Sequence, residues 1–60
     1  MTYKEVVALA KELGGDVEHG INWIWSHFPT QEAAKEFHSR LGPKVETRGV
    51  YPDASVRWRL

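Results

Sequence analysis

Two segments of the chain carry apolar residues at helical spacing, and the first lies close to the N-terminus. Between residues 3 and 13 the apolar side chains recur every three or four positions, with lysine and glutamate on the opposite side. Thr2 and Glu5 form a capping-box pattern, in which each side chain satisfies a free amide of the first turn. Gly14 then favours the left-handed backbone that ends a helix. The pattern predicts a helix over this segment.

The second helical segment lies in the middle of the chain. Thr30 has the position of an N-cap, and alanine, phenylalanine and leucine then recur on one side as far as Leu41. The Gly42–Pro43 pair that follows is a stop signal for a helix. Between the two helices, residues 16–20 are mostly polar and contain glycine, which predicts a loop.

Three further segments have the composition or the alternation of β-strands. Residues 21–28 are rich in β-branched and aromatic side chains and stop at Pro29. Residues 44–50 and 56–60 alternate in polarity with a period of two. Between them, Tyr51–Ser55 contains proline and aspartate at positions that favour a tight turn. The last two strands are therefore expected to form a hairpin.

The element order α-β-α-β-β predicts an α+β fold, a two-layer sandwich with both helices on one face of a three-stranded sheet. A right-handed crossover through the second helix makes the first two strands parallel. The C-terminal strand, VRWRL, alternates most strongly, and we expect it between the other two, in the order 1-3-2 of a split βαβ unit. A 1-2-3 order stays open as the alternative. The strand–helix–strand–strand arrangement resembles half of a ferredoxin-like domain, an architecture that serves many functions.

Polarity along the last strand predicts which side of the sheet is buried. Arg57 and Arg59 alternate with Trp58, and unpaired arginine is almost never buried, so the arginine side is expected to face solvent. Matching the apolar sets across the sheet then places Trp23, Trp25 and Trp58 beneath the helices. The alternative, in which Trp23 and Trp25 form a ligand-stacking platform, is disfavoured because so small a core needs its largest side chains.

The predicted open face is mildly basic and rich in hydrogen-bonding groups. It carries Arg48, Arg57, Arg59, Asn22, Ile24 and Ser26, together with Glu46. A solvated face with cross-strand ion pairs accounts for these residues without any function. Guanidinium groups also suit phosphate, which favours a nucleic-acid contact, whereas an exposed Ile24 favours a protein partner or a second copy of the chain.

Composition narrows the classes of function. Sixty residues make a single domain, residues 1–60, and without cysteine it has neither a disulfide nor a thiolate metal site. Eight acidic and eight basic residues cancel, which leaves only a local basic face for contact with nucleic acid. There is no apolar run of membrane-spanning length and no signal-peptide pattern. We therefore expect a cytoplasmic protein without a membrane partner.

Residues with catalytic or metal-binding chemistry are sparse. His19, His27 and His38 share no metal-binding spacing, and no cysteine completes a ligand set. The serines lack the setting of a catalytic triad, and the glycine pair closes a helix rather than cradling a phosphate. We therefore expect no catalytic residue, metal ligand, cofactor or small-molecule substrate.

The function expected from the sequence is binding rather than catalysis. The first hypothesis is a small interaction module that binds a protein partner, or itself, through the open sheet face and a sheet edge. The alternative is nucleic-acid binding through Arg48, Arg57 and Arg59. A third hypothesis is a small metal-dependent or acid/base enzyme that uses the histidines.

Overall fold

The computed structural model describes all residues, Met1–Leu60, as two helices and one four-stranded antiparallel sheet. The elements are α1 (Tyr3–Glu12), β1 (Glu18–His19), β2 (Ile24–His27), α2 (Gln31–Arg40), β3 (Glu46–Val50) and β4 (Ser55–Arg59). The strands lie in the order β1-β2-β4-β3. Neither helix has the length or the apolar character needed to cross a membrane.

Both predicted helices are confirmed, and each begins at the predicted N-cap. The Thr2 hydroxyl accepts from the Glu5 amide at 3.2 Å, and the Glu5 carboxylate accepts from the Thr2 amide at 2.7 Å. At the start of α2, the Thr30 hydroxyl accepts from the amide of Ala33 at 3.1 Å. Gly14 follows α1 with a φ of +81°, which is the left-handed conformation that ends a helix.

The sheet has four strands rather than the predicted three. The predicted loop at residues 16–20 contains β1, which pairs antiparallel with β2. Residues 21–23, predicted to begin the first long strand, lie instead in the connection from β1 to β2, where the Gly20 amide donates to the carbonyl of Trp23 at 2.9 Å. A two-residue strand is too short for alternation to reveal it. The full order therefore differs from the predicted three-strand order, although the C-terminal strand, β4, does lie between β2 and β3.

Strand β3 contains a β-bulge that shifts its alternation. Two of its residues, Arg48 and Gly49, lie opposite the single residue Arg57 of β4. Gly49 has a φ of +89°, which side chains with a Cβ rarely adopt. Strict alternation over residues 44–50 would place Val50 on the side of Arg48. Because of the bulge, Val50 instead packs against the core, and Tyr51 lies over Arg57 on the opposite side.

One apolar core lies between the sheet and both helices. It consists of Val6, Leu9, Ala10, Phe28, Ala34, Phe37, Val45, Ala54, Val56 and Trp58. Trp58 and Phe37 are the largest side chains that are fully buried. The indole N–H of Trp58 donates to the Ser26 hydroxyl at 3.0 Å, and neither residue is exposed to solvent. Both helices therefore pack on the Trp58 side of the sheet.

The predicted faces of β2 are wrong by one residue. Directly opposed residues of antiparallel strands share a face. Ile24 lies opposite Trp58, on the core side, and Trp25 lies opposite Arg57, on the open side. The predicted burial of Trp58 is confirmed, whereas the predicted burial of Trp23 and Trp25 beneath the helices is wrong. Large apolar residues occupy both alternating sets of this segment, so polarity does not fix its face, and pairing with β4 does.

Candidate functional site

The open side of the sheet carries three aromatic rings beside three arginines. In four contacts, a guanidinium carbon lies 3.9 to 5.8 Å from the centre of an aromatic ring. These contacts define the arginine–aromatic face, which consists of Trp23, Trp25, Tyr51, Arg48, Arg57 and Arg59. All three rings are half-buried, so each keeps part of its surface accessible to a ligand.

Arg57 lies between two rings at the centre of this face. Its guanidinium carbon is 3.9 Å from the ring centre of Trp25 on β2 and 3.9 Å from that of Tyr51 after β3. It takes part in none of the ion pairs of the structure. Its Nε atom is enclosed without a hydrogen-bond partner. The guanidinium is therefore held in place while its charge is uncompensated.

Arg59 lies on the same face, but its charge is paired. Its Nε and Nη2 atoms donate to the two carboxylate oxygens of Glu46 at 3.0 and 3.2 Å, and Nη1 donates to the carbonyl of Asn22 at 3.2 Å. These hydrogen bonds from Arg59 hold the pKa of Glu46 below its usual value. The guanidinium also covers Trp23 at 4.0 Å from the ring centre, and exposed Arg48 lies 5.8 Å from the same ring.

Strand pairing and the bulge bring these side chains together. Trp25 lies opposite Arg57 and Glu46 lies opposite Arg59, so each arginine meets its main partner across the sheet. The bulge turns Tyr51 toward the same side. Arginine covers a ring with its flat cation, and such a contact contributes about 0.5–1 kcal/mol at exposed sites and about 2 kcal/mol when desolvated. The arginines of the face therefore pack against its rings, and the face keeps a positive charge.

The structure places only some of the six residues predicted to bind on the open face there. The three arginines lie on that face, as described above. Ile24 packs against the core and Ser26 is fully buried, so their predicted exposure on the open face is wrong. Asn22 is exposed in the connection before β2 and contributes its backbone carbonyl to Arg59.

Sequence reasoning missed the aromatic part of this face. One signal for it lies at Phe28, which ends the segment and belongs to the core. Counting back from Phe28 in twos reaches Ser26 and leaves Trp25 and Trp23 on the other side. Tyr51 carries no such signal, because its side depends on the extra residue of the bulge.

The histidines lie in separate parts of the structure. His19 Nε2 is 2.7 Å from the Tyr3 hydroxyl, and the carboxylate of Asp16 accepts from the His27 amide at 2.8 Å and lies 3.3 Å from its Nδ1. His38 is half-buried in α2. No group of three or more histidine, cysteine or acidic side chains is placed to hold a metal ion, and the surface has no pocket.

Comparisons of the chain with protein families, with curated proteins and with solved structures give no match. The chemistry of the arginine–aromatic face is therefore inferred from its own residues alone. It combines half-buried aromatic rings, each covered in part by a guanidinium, with positive charge on one side of the sheet.

Proposed function

We propose that the protein binds single-stranded nucleic acid through the arginine–aromatic face. The observation that carries the proposal is the placement of Trp23 and Trp25 beside three arginines on one accessible sheet face. Unpaired bases expose flat surfaces that stack on aromatic side chains, and their phosphates attract guanidinium groups. Both kinds of contact are available side by side on this face.

Two of the three arginines keep their charge free for a ligand. Arg48 and Arg57 form no ion pair, whereas Arg59 is paired with Glu46. The net charge of the chain is zero, so attraction of a polyanion depends on these local charges rather than on a field of the whole molecule. With about two phosphate contacts on a single strand, the logarithm of the affinity should fall with the logarithm of salt at a slope of about −1.4.

Charge also sets the expected path of the ligand across the face. Glu18 is exposed on β1 and lies opposite Trp25, so it borders the face on the β1 side. A carboxylate there repels phosphate, whereas Arg48 on β3 attracts it. We therefore expect the phosphates to follow the β4 and β3 side, with bases reaching toward Trp25 and Trp23.

Fluorescence titration with short single strands tests the proposal. Oligouridylate and oligothymidylate of about eight nucleotides match the site size of a small sheet face. Trp58 is fully buried, so quenching should come from Trp23 and Trp25 over a constant background. Replacement of either Trp23 or Trp25 with alanine should weaken binding by about 1–3 kcal/mol for each stacked base that is lost.

A matched pair of arginine variants separates the face from charge in general. Arg48→Ala should weaken binding and reduce the salt slope by about 0.7. Arg40→Ala removes the same charge from α2, where the side chain pairs with Glu12 and Glu36, and should leave binding unchanged. Equal losses in both variants, or no binding of either oligonucleotide at low salt, would contradict the proposal.

A protein partner or a second copy of the chain is the second candidate. It is favoured by an apolar corner of the structure, where Ile21 is 100% exposed and Leu60 is 59% exposed. Arg59 links the two segments through its hydrogen bond to the carbonyl of Asn22. The free edge of β3 is less suited to strand pairing with a partner, because the bulge interrupts it.

Light scattering tests self-association. The mass of the unaltered protein should rise with concentration, and that of Ile21→Lys should stay monomeric. A constant monomer mass in the unaltered protein would exclude the second copy.

A further inference from the structure

Arg57 and Arg59 have similar places on β4 but differ in their free donors. Their guanidinium carbons lie 3.9 and 4.0 Å from the centre of a tryptophan ring. Arg59 uses Nε and Nη2 for Glu46 and Nη1 for the carbonyl of Asn22. The Arg57 side chain forms no ion pair with the rest of the chain, and its Nε has no hydrogen-bond partner. The two side chains therefore differ in what they can offer a ligand.

The surroundings of Arg57 leave one edge of its guanidinium open. The rings of Trp25 and Tyr51 cover the cation from the neighbouring strands. Nε is enclosed without a partner, and no ion pair occupies either Nη atom. Two N–H groups on one edge of a guanidinium match two oxygens of a phosphate, which can accept both hydrogen bonds at once. A phosphate can therefore reach Arg57 end-on, through the two Nη atoms.

The enclosed Nε–H group has a physical consequence for binding. A buried donor without an acceptor is unfavourable, and the contacts with the two rings offset that penalty. Those rings also restrict the side chain before any ligand arrives. A donor that is already fixed loses little conformational freedom when it binds, which favours a phosphate contact at this position.

We infer that Arg57 makes the phosphate contact with two hydrogen bonds on the arginine–aromatic face and that Arg59 is a positioning residue for Trp23. The inference rests on the proposed function and names the ligand group that the face binds most directly. The phosphate has two possible sources, a phosphodiester within the strand and a phosphate at its end, and the chemistry of the contact is the same for both.

Lysine variants with matched ligands test the inference. Arg57→Lys and Arg59→Lys both keep the positive charge, but lysine lacks the paired N–H groups. Arg57→Lys should weaken binding of oligothymidylate about tenfold or more, and Arg59→Lys should weaken it far less. On the uncharged methylphosphonate backbone of the same length, Arg57→Lys should cause a much smaller loss, because only its packing against the two rings is then affected. Oligothymidylate with and without a 5′-phosphate separates the sources: an equal loss assigns the contact to the strand, and a loss only with the 5′-phosphate assigns it to the end.

Nuclear magnetic resonance of the unaltered protein gives a second measurement that does not depend on the folding of a variant. Adding oligothymidylate should shift the side-chain nitrogen signals of Arg57 more than those of Arg59. Equal losses for the two lysine variants, the same Arg57→Lys loss on the uncharged backbone, or unshifted Arg57 signals would overturn the inference while the unaltered protein still bound the strand. Failure of the unaltered protein to bind either backbone would instead overturn the proposed function.

Discussion

Replacement of Ser26 with alanine tests whether the Ser26 side of β2 faces the core. The Ser26 hydroxyl accepts the indole N–H of Trp58 at 3.0 Å, and both residues are fully buried. Alanine removes the acceptor and leaves the N–H group of Trp58 enclosed without a partner. The change alters almost nothing else, because serine and alanine differ by one oxygen atom.

The expected loss of stability follows from the burial of the indole N–H group of Trp58. A buried donor that loses its acceptor destabilises a protein by about 1–3 kcal/mol. In a domain of 60 residues, each kcal/mol lowers the Tm by about 4–8 °C. Ser26→Ala should therefore lower the Tm by about 4 °C or more.

The assay is thermal and urea unfolding, arranged as a double-mutant cycle. In a Trp58→Phe background there is no indole N–H to satisfy, so Ser26→Ala should be nearly neutral there. Ser39→Ala is the matched control, because Ser39 is exposed on α2 and its hydroxyl bonds only to a backbone carbonyl, that of Glu36. It should change the unfolding free energy by less than about 0.5 kcal/mol.

Two results would refute this reasoning. One is an unfolding free energy for Ser26→Ala within about 0.5 kcal/mol of that of the unaltered protein. The other is a loss of oligonucleotide binding with unchanged stability, which would place the Ser26 hydroxyl on the open face. The first outcome would contradict the stabilising role of the hydrogen bond, and the second would restore the face assignment that polarity alone suggested.

Three further predictions concern pH, the bulge and the first helix. The pKa of Glu46 is lowered by its hydrogen bond with Arg59, so its contribution to stability is present above the ordinary value of 4.5 and is lost as the pH falls through the lower folded value. The difference in Tm between the unaltered protein and Glu46→Gln should therefore shrink when melting curves are recorded from pH 6 down to pH 3, and a constant difference would contradict it. Deletion of Gly49 removes the extra residue of the bulge and should keep the fold by circular dichroism, whereas Gly49→Val forces a branched side chain into a φ of +89° and should lower the Tm more than the deletion does. Thr2→Ala removes the N-cap of α1 and should destabilise the protein by about 1 kcal/mol in urea unfolding, and no loss would indicate that α1 frays in solution.

The helices were predictable because each has local signals at its ends. Thr2 and Thr30 satisfy amides within their own first turns, and Gly14 ends α1 through its own backbone conformation. The hairpin of the last two strands is also local, since the amide of Tyr51 donates to the carbonyl of Ser55 at 2.8 Å. These features depend on residues a few positions apart, which the sequence displays directly.

The candidate site was less predictable because it depends on contacts between distant strands. The arginines on β4 were assigned to the open face by their charge alone. The position of Trp25 depends on pairing with Arg57, 32 residues later, and that of Tyr51 depends on the bulge at Gly49. Sequence reasoning also assumed that charged and large apolar side chains lie on opposite faces of the sheet. Contacts between arginines and aromatic rings place both kinds of side chain on one face.

The packing of cations on rings gives the two sides of the sheet different sensitivities to denaturants. Guanidinium chloride supplies the same planar cation that Arg57 and Arg59 carry, and it can replace them on the indole surfaces of Trp25 and Trp23. Urea is uncharged and acts on both sides through the surface that unfolding exposes. We therefore expect guanidinium chloride, and not urea, to displace the arginines from these rings below the unfolding transition, whereas the fully buried Trp58 reports only the global transition.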